Sequence, residues 1–252
     1  MAILAACGAD SASTATSTTT TAATPEAEST EAPAETADVE APAEESAPAE
    51  EGSATSAPGL QMQWVELGFV SAYVLVRGSE AAIVDTGVPG SGDAINSALT
   101  DLGLAPADVR SIILTHNHGD HVGGLGELEG AMTNATVYAG TGDINSIQTS
   151  LNLSEVGDGD EVFGLGIVNT PGHTVGSISV FDTDTGLLVA GDAINGDGSG
   201  GITGANEQFS EDLAEATASI GKMAALMPQV AAFGHGGAPV MEDVTSKLAA
   251  IA

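Results

Sequence analysis

Up to about Pro58 the apolar side chains follow no period; beyond it, periods of 2 and of 3.6 alternate along the chain. "MQWVELGFVSAYVLV" and "AAIVDTG" alternate or run apolar, which predicts early strands ending in a turn at Asp85-Thr86-Gly87. "SGDAINSALTDLGL" places Ile95, Ala98, Leu99 and Leu102 on one helical face, with Ser91 as the expected cap and Gly103 as the stop. "VRSIILTH" and "ATVYAG" predict two further strands, and "TGDINSIQTSL" predicts a helix. "LGIVNT", "SISVFDT" and "GLLVAGD" predict three strands parted by turn residues. "SEDLAEATASIGKMAALMP" is the longest expected helix, "QVAAFGH" a strand and "MEDVTSKLAAIA" a closing helix. Strands and helices recur in two halves without a sequence repeat, so the class is mixed α/β with a layered core.

Composition divides the chain. Residues 8–58 are almost wholly Ala, Ser, Thr, Pro, Glu and Gly, and the first aromatic residue is Trp64. Such a segment cannot bury enough surface to offset its ordering entropy, and proline with like charge extends it, so it is expected to be a disordered tether. Residues 59–252 are enough for one domain with a sizeable core. The whole chain has 35 acidic residues against 4 Lys and Arg; 11 of the acids lie in the tether and 24 in the domain. A domain net charge near −20 repels phosphate backbones, which argues against nucleic acid as a partner. Cys7 is the single cysteine, so no internal disulfide is available. Its context, "LAAC", resembles the lipobox of bacterial lipoproteins, although only six residues precede it and none is basic. Residues 1–7 are therefore read as the remnant of a lipoprotein signal whose true start lies upstream. The implied location is exported and lipid-anchored at the bacterial cell surface or periplasm, with the membrane met only through that anchor.

The candidate chemistry is concentrated. "LTHNHGDH" holds His116, His118 and His121, three of the five histidines, beside Asp120. His116 and His118 are two apart in an extended segment and so point to one side. The turn at Gly119 lets Asp120 and His121 face a second, adjacent point. "TPGHT" then contributes His173, "VAGD" ends a strand on Asp192, and "AAFGH" ends one on His235. Imidazoles and carboxylates in this mixture suit zinc or iron.

The motifs "VDTG", "HNHGDH", "TPGHT", "AGD" and "FGHG" resemble, in order, those of the metallo-β-lactamase superfamily. The resemblance covers the chain from about Leu60 to its end and implies a four-layer αββα sandwich with a dinuclear site at one edge. By motif, His116, His118 and His173 would hold one divalent metal, and Asp120, His121 and His235 a second. Asp192 would bridge them, and Asp85 would support the site without binding metal. Zinc is the first expectation, with iron or manganese as alternatives. The implied mechanism is a hydroxide shared by two metals about 3.5–4 Å apart that attacks a carbonyl carbon, with Asp120 orienting the nucleophile.

Several branches of that superfamily are open. Its β-lactamases usually carry cysteine or serine at the place of Asp192. Glyoxalase II matches best around "HNHGDHVGG" and "TPGHTVGS" but adds a helical domain, and only 17 residues follow His235. Lactonases often place tyrosine where Asn195 stands. The resulting expectation is a hydrolase of a small ester, thioester or lactone. The alternatives are an iron-dependent persulfide dioxygenase, a β-lactamase and a non-catalytic metal-binding surface lipoprotein. "NGDGSGGIT" within 195–207 resembles part of an EF-hand calcium loop, but Asn195 and Asn206 occupy its first and twelfth places. It is read instead as a glycine-rich loop rimming the metal site. "GDGD" at 157–160 is expected to be a turn, and Trp64 and Phe69 core or pocket wall.

Overall fold

The computed structural model describes residues 59–252; the lipobox expected at Cys7 and the tether expected over 8–58 lie outside them. The first sheet has six strands in sequence order: β1 (Gln61–Glu66), β2 (Ser71–Arg77), β3 (Glu80–Val84), β4 (Val109–Leu114), β5 (Thr136–Gly140) and β6 (Asn152–Val156). Its first three strands are antiparallel neighbours, and the pairs from β3 to β6 are parallel. Helices α1 (Gly92–Asp101), α2 (Gly119–Val122) and α3 (Leu125–Leu128) fall in its connections. The second half begins with β7 (Glu161–Val162), β8 (Leu165–Asn169), β9 (Ile178–Asp182) and β10 (Leu187–Val189), then the small hairpin β11 (Ile194–Gly196) and β12 (Ile202–Gly204). Helix α4 (Leu213–Ala225), β13 (Val230–Ala232) and α5 (Val244–Ile251) close the chain. In the second sheet the order is β13-β10-β9-β8-β7, with β13 parallel to β10.

The layering follows from strand alternation. Successive side chains of a strand point to opposite faces, and here both faces are covered. Ala72, Val74 and Val76 of β2, with Ile112 and Leu114 of β4, pack outward on α1 and α3. Tyr73, Leu75 and Ile113 face the other way and meet Ile167, Val180 and Val189 of the second sheet. Phe181, Leu188 and Ala231 leave the far side of that sheet and pack on Ile220 and Met223 of α4 and Leu248 of α5. Three apolar layers between four structural ones make the expected αββα sandwich. Arg77 of β2 also pairs with the buried Asp182 of β9, which joins the two sheets at one side.

Three local expectations are corrected. "TGDINSIQTSL" forms only a 3-10 turn at Ile144–Ser146, after which Ile147 is extended. The carboxylate of Asp143 is engaged with two other loops, and the chain must extend to pair β6 with β5. Ser91 makes no side-chain cap on α1; the Glu127 carboxylate of α3 accepts the amides of Gly90 and Gly92 instead. Of the 195–207 loop, Asn206 lines the cavity at the histidine cluster, but residues 198–201 do not. They turn the β11–β12 hairpin and line a separate cavity with Phe233 and the 236–242 segment. Asp197 closes that turn by accepting the amides of Ser199 and Gly201, so its carboxylate serves the hairpin rather than an EF-hand. The "GDGD" turn falls between β6 and β7, and Trp64 is half-buried with its indole N–H on Ser71 Oγ at 2.9 Å.

Candidate metal centre

All seven expected ligands lie in segments that leave strands at one edge of the sandwich. β4 runs into His116 and His118, and the one-turn helix α2 carries Asp120 and His121. His173 follows β8, Asp192 follows β10, and His235 follows β13. Loops held by a rigid scaffold are where binding side chains concentrate. Three groups have donor atoms within 4.8 Å of one another: His116, His118 and His173; Asp120, His121 and His235; and His116, His121 and Asp192. Asp192 lies between the first two, 3.5 Å from His173 Nε2 and 3.2 Å from His235 Nε2 through Oδ2, and 3.3 Å from His121 Nε2 through Oδ1.

The hydrogen bonds around the rings fix which nitrogen each presents. His121 Nδ1 donates to Asp85 Oδ2 at 2.8 Å, because a carboxylate only accepts. His235 Nδ1 donates to the Phe69 carbonyl at 2.7 Å. Thr115 gives its hydroxyl proton to Asp85 at 2.8 Å and therefore accepts from His116 Nδ1 at 3.1 Å. Ser210 gives its proton to the Asn206 carbonyl at 2.7 Å and accepts from His173 Nδ1 at 3.2 Å. In each neutral ring the other nitrogen is left with a lone pair, and all four lone pairs belong to the donor groups above.

These lone pairs face one another. His118 Nδ1 and His173 Nε2 are 3.0 Å apart, and His121 Nε2 and His235 Nε2 are 3.4 Å apart. Ligand nitrogens about 2.0–2.1 Å from a tetrahedral ion stand about 3.3–3.4 Å from each other. The 3.4 Å pair has the spacing of ligands on a common ion, and the 3.0 Å pair is somewhat closer. His116 Nε2 and Asp192 Oδ1 are buried; the first has no hydrogen-bond partner among the described residues, and the second only the long 3.3 Å approach of His121 Nε2. A buried polar atom left without a partner costs about 1–3 kcal/mol, so these two atoms mark where a cation fits.

The electrostatics divide the cluster. Burial pushes His116 down, as does the charge of His121, and burial lowers His173 to about 4 despite Asp192. Both rings are therefore neutral ligands ready for a cation. Burial opposes charge on His121 too, but Asp85 and Asp192 outweigh it and raise it to about 10. Hydrogen bonding to Asp192 likewise raises His235. Asp192 is itself held far below the usual carboxylate range: burial would raise it, but bonds to His121 and His235 prevail. Without a metal, the carboxylates draw protons onto the rings beside them.

Several supporting residues carry no sequence signal of that role. The Asp143 carboxylate accepts from Asn117 N at 2.9 Å, Thr174 Oγ1 at 2.7 Å and Gly176 N at 3.1 Å, which locks the "HNHGDH" loop to the "TPGHT" loop. Tyr73 spans the sandwich, donating to the Phe233 carbonyl at 2.8 Å and accepting its amide at 3.1 Å, two residues before His235. At Gly234 a Cβ would lie 2.2 Å from Asp192 Oδ1 and 2.4 Å from His121 Cε1, so only glycine lets the strand end approach this closely. Phe69 stacks on His235 with ring centroids 5.9 Å apart and planes 4° from parallel, and it forms a pocket wall.

The sequence profile of the metallo-beta-lactamase superfamily matches residues 65–235, more than half of the chain and all seven candidate ligands. The chain belongs to the metallo-beta-lactamase superfamily. Members of this superfamily are mostly hydrolases that bind divalent metals, usually zinc and sometimes iron. Uncharacterized protein YobT of Bacillus subtilis is 34% identical over 146 residues, 49% of this chain and 61% of that protein. A hydroxyacylglutathione hydrolase of Erwinia tasmaniensis is 38% identical over 116 residues, 44% of this chain and 43% of that enzyme. The chain thus spans less than two thirds of the length of either relative. Among solved structures, TTHA1623 in a di-iron-bound form superposes with a TM-score of 0.60 at 20% identity, covering 75% of this chain and 98% of that one.

Proposed function

We propose that the protein is a dinuclear metallo-hydrolase of a small ester, thioester or lactone. The carrying observation is the set of four histidines whose outer nitrogens are committed to protein acceptors and whose inner lone pairs converge beside Asp192. His116, His118 and His173 would hold one ion, Asp120, His121 and His235 the other, and Asp192 would be shared between them. Zinc is the first choice; the di-iron form of TTHA1623 supports iron as the second. When bound, two such cations supply Lewis acidity toward a carbonyl and a water-derived nucleophile at neutral pH.

The chain's own residues account for the rest. Asp85 and the Phe69 carbonyl fix the His121 and His235 rings in the tautomer that presents Nε2 inward. Asp120, half-exposed with Oδ2 3.3 Å from His235 Nε2, stands at the open side, where it can orient the attacking water and take up its proton. The substrate enters a cavity of about 610 Å³ bounded by His118, His173 and His235 on the metal side. No serine or cysteine nucleophile is needed. The relationship to a hydroxyacylglutathione hydrolase supports an acyl substrate, and Asp192 in place of cysteine or serine disfavours the β-lactamase branch.

Turnover by the metal-replete protein on parallel panels of esters, thioesters, lactones and β-lactams tests this reading. Hydrolysis of at least one acyl class, lost in His118→Ala while the circular dichroism spectrum is kept, is the expected result. Activity confined to β-lactams, or oxygen uptake with a persulfide in place of hydrolysis, would overturn it.

A further inference from the structure

Two large apolar side chains in the mouth of the cavity are left exposed, Phe69 by 65% and Phe209 by 58%. Exposed phenylalanines scattered over a surface need no explanation, but two on one concave site are a binding feature. Each is tied to a different end of the histidine cluster. The Phe69 carbonyl holds His235, and Ser210, next in the chain to Phe209, holds His173. The Phe69 ring is braced against His235, and the Phe209 amide donates to the Asn206 carbonyl at 3.1 Å. Both side chains therefore border the cavity, one beside His235 and the other next to the residue that holds His173.

The cavity also lacks any lysine or arginine. All four Lys and Arg of the chain are among the described residues, and none lines it. Arg77 pairs with Asp182, Arg110 with Glu80 and Lys222 with Asp158, while Lys247 donates to the Glu242 carbonyl. Away from the histidine cluster, an anionic group would meet the two phenyl rings and the uncharged Asn206, in the field of a domain with a net charge near −20.

We propose that Phe69 and Phe209 form an apolar clamp that selects uncharged acyl groups, and that substrates with a remote anionic group, glutathione thioesters among them, are disfavoured. This rests on the hydrolase reading above and names its substrate class. Burying a methylene between the rings raises kcat/KM about three- to fourfold, so activity climbs with acyl length until the cavity is filled.

The test compares kcat/KM for acetyl, butanoyl and hexanoyl esters of one leaving group with the hexanedioyl half-ester and a hydroxyacyl-glutathione thioester. The hexanoyl ester is expected to exceed both anionic substrates by at least roughly tenfold, and the butanoyl ester by about tenfold for its two extra methylenes. Phe69→Ala and Phe209→Ala should each reduce the hexanoyl-to-acetyl ratio, and Phe209→Lys should shift the neutral-to-anionic ratio by about tenfold toward the anion. Equal or faster turnover of the anionic substrates, or an unchanged chain-length ratio in both alanine variants, overturns the clamp while leaving the hydrolase intact. Calorimetric binding of hexanoyl methyl ketone and its ω-carboxy analogue reads the same selectivity without turnover. If no ester, thioester or lactone is hydrolysed yet only the neutral ketone binds, the hydrolase reading fails and the selectivity stands; if both bind equally, the selectivity fails.

Discussion

Asp85 sits at φ +60°, a left-handed conformation that a non-glycine residue adopts at some cost. In return one carboxylate accepts the Thr115 amide, the Thr115 hydroxyl and the His121 ring. Its place beside the cluster was expected from "VDTG", and the seven residues that the structure brings together stand in short glycine-containing motifs. Their outer partners were not legible in the sequence. The Phe69 carbonyl is 166 residues from His235 and, as a backbone atom, has no identity in the sequence. Ser210 is 37 residues from His173 in a polar loop that any serine would suit. Gly234 is the sharpest test at this scale. Gly234→Ala would place a methyl into the shared volume of Asp192 and His121, so one of them must move. The variant should bind the second metal at least about tenfold more weakly, an effect of the size seen when a ligand's supporting contact is lost. Competition against a coloured chelator measures it, and wild-type affinity would contradict the close packing.

Among the elements, strongly periodic segments were predicted well because their apolar residues have one place to go. α4 shows it: Ala216, Ile220 and Met223 face the core, and Asp212 caps the helix by accepting the amides of Ala214 and Glu215. The 142–151 segment failed as a helix although Ile144, Ile147 and Leu151 have helical spacing. Tertiary demand on Asp143 outweighed a weak local preference, and that demand comes from Asn117, Thr174 and Gly176, which no local pattern names. The same competition replaced the Ser91 cap with Glu127. Asp143→Ala would leave three donors without their acceptor in a buried place. It should cost about 2–4 kcal/mol in denaturant unfolding and weaken the first metal, since Asn117 and Thr174 flank its ligands. A loss under about 0.5 kcal/mol would show that the two loops are held by something other than this carboxylate.

For the whole molecule, each proposed ion joins the two halves of the sandwich. His116 and His118 come from the first half and His173 from the second; Asp120 and His121 come from the first and His235 from the second. A ligand that binds only the folded state stabilises it by about 4 kcal/mol at a thousandfold excess over its dissociation constant. For a domain of this size that is a shift in Tm of roughly 8–16 °C. Removing metal with a chelator should lower Tm by that amount, and restoring zinc should return it; an unchanged Tm would mean that no ion clips the halves together. The αββα architecture was legible from strand and helix order with the five motifs. The small second cavity behind the β11–β12 hairpin was not, because it arises from how the 236–242 segment returns against the hairpin.

Metal stoichiometry, measured by elemental analysis of the purified chain beside Asp192→Asn, bears most directly on the claim of two donor sets sharing one carboxylate. Two adjacent divalent cations repel strongly even when screened, and asparagine keeps the shape of Asp192 but not its charge. About two transition-metal ions per wild-type chain are expected and about one in Asp192→Asn, retained by the three-histidine set of His116, His118 and His173. Two tightly held ions in the variant, or a single ion in a fully active wild-type chain, would contradict that claim.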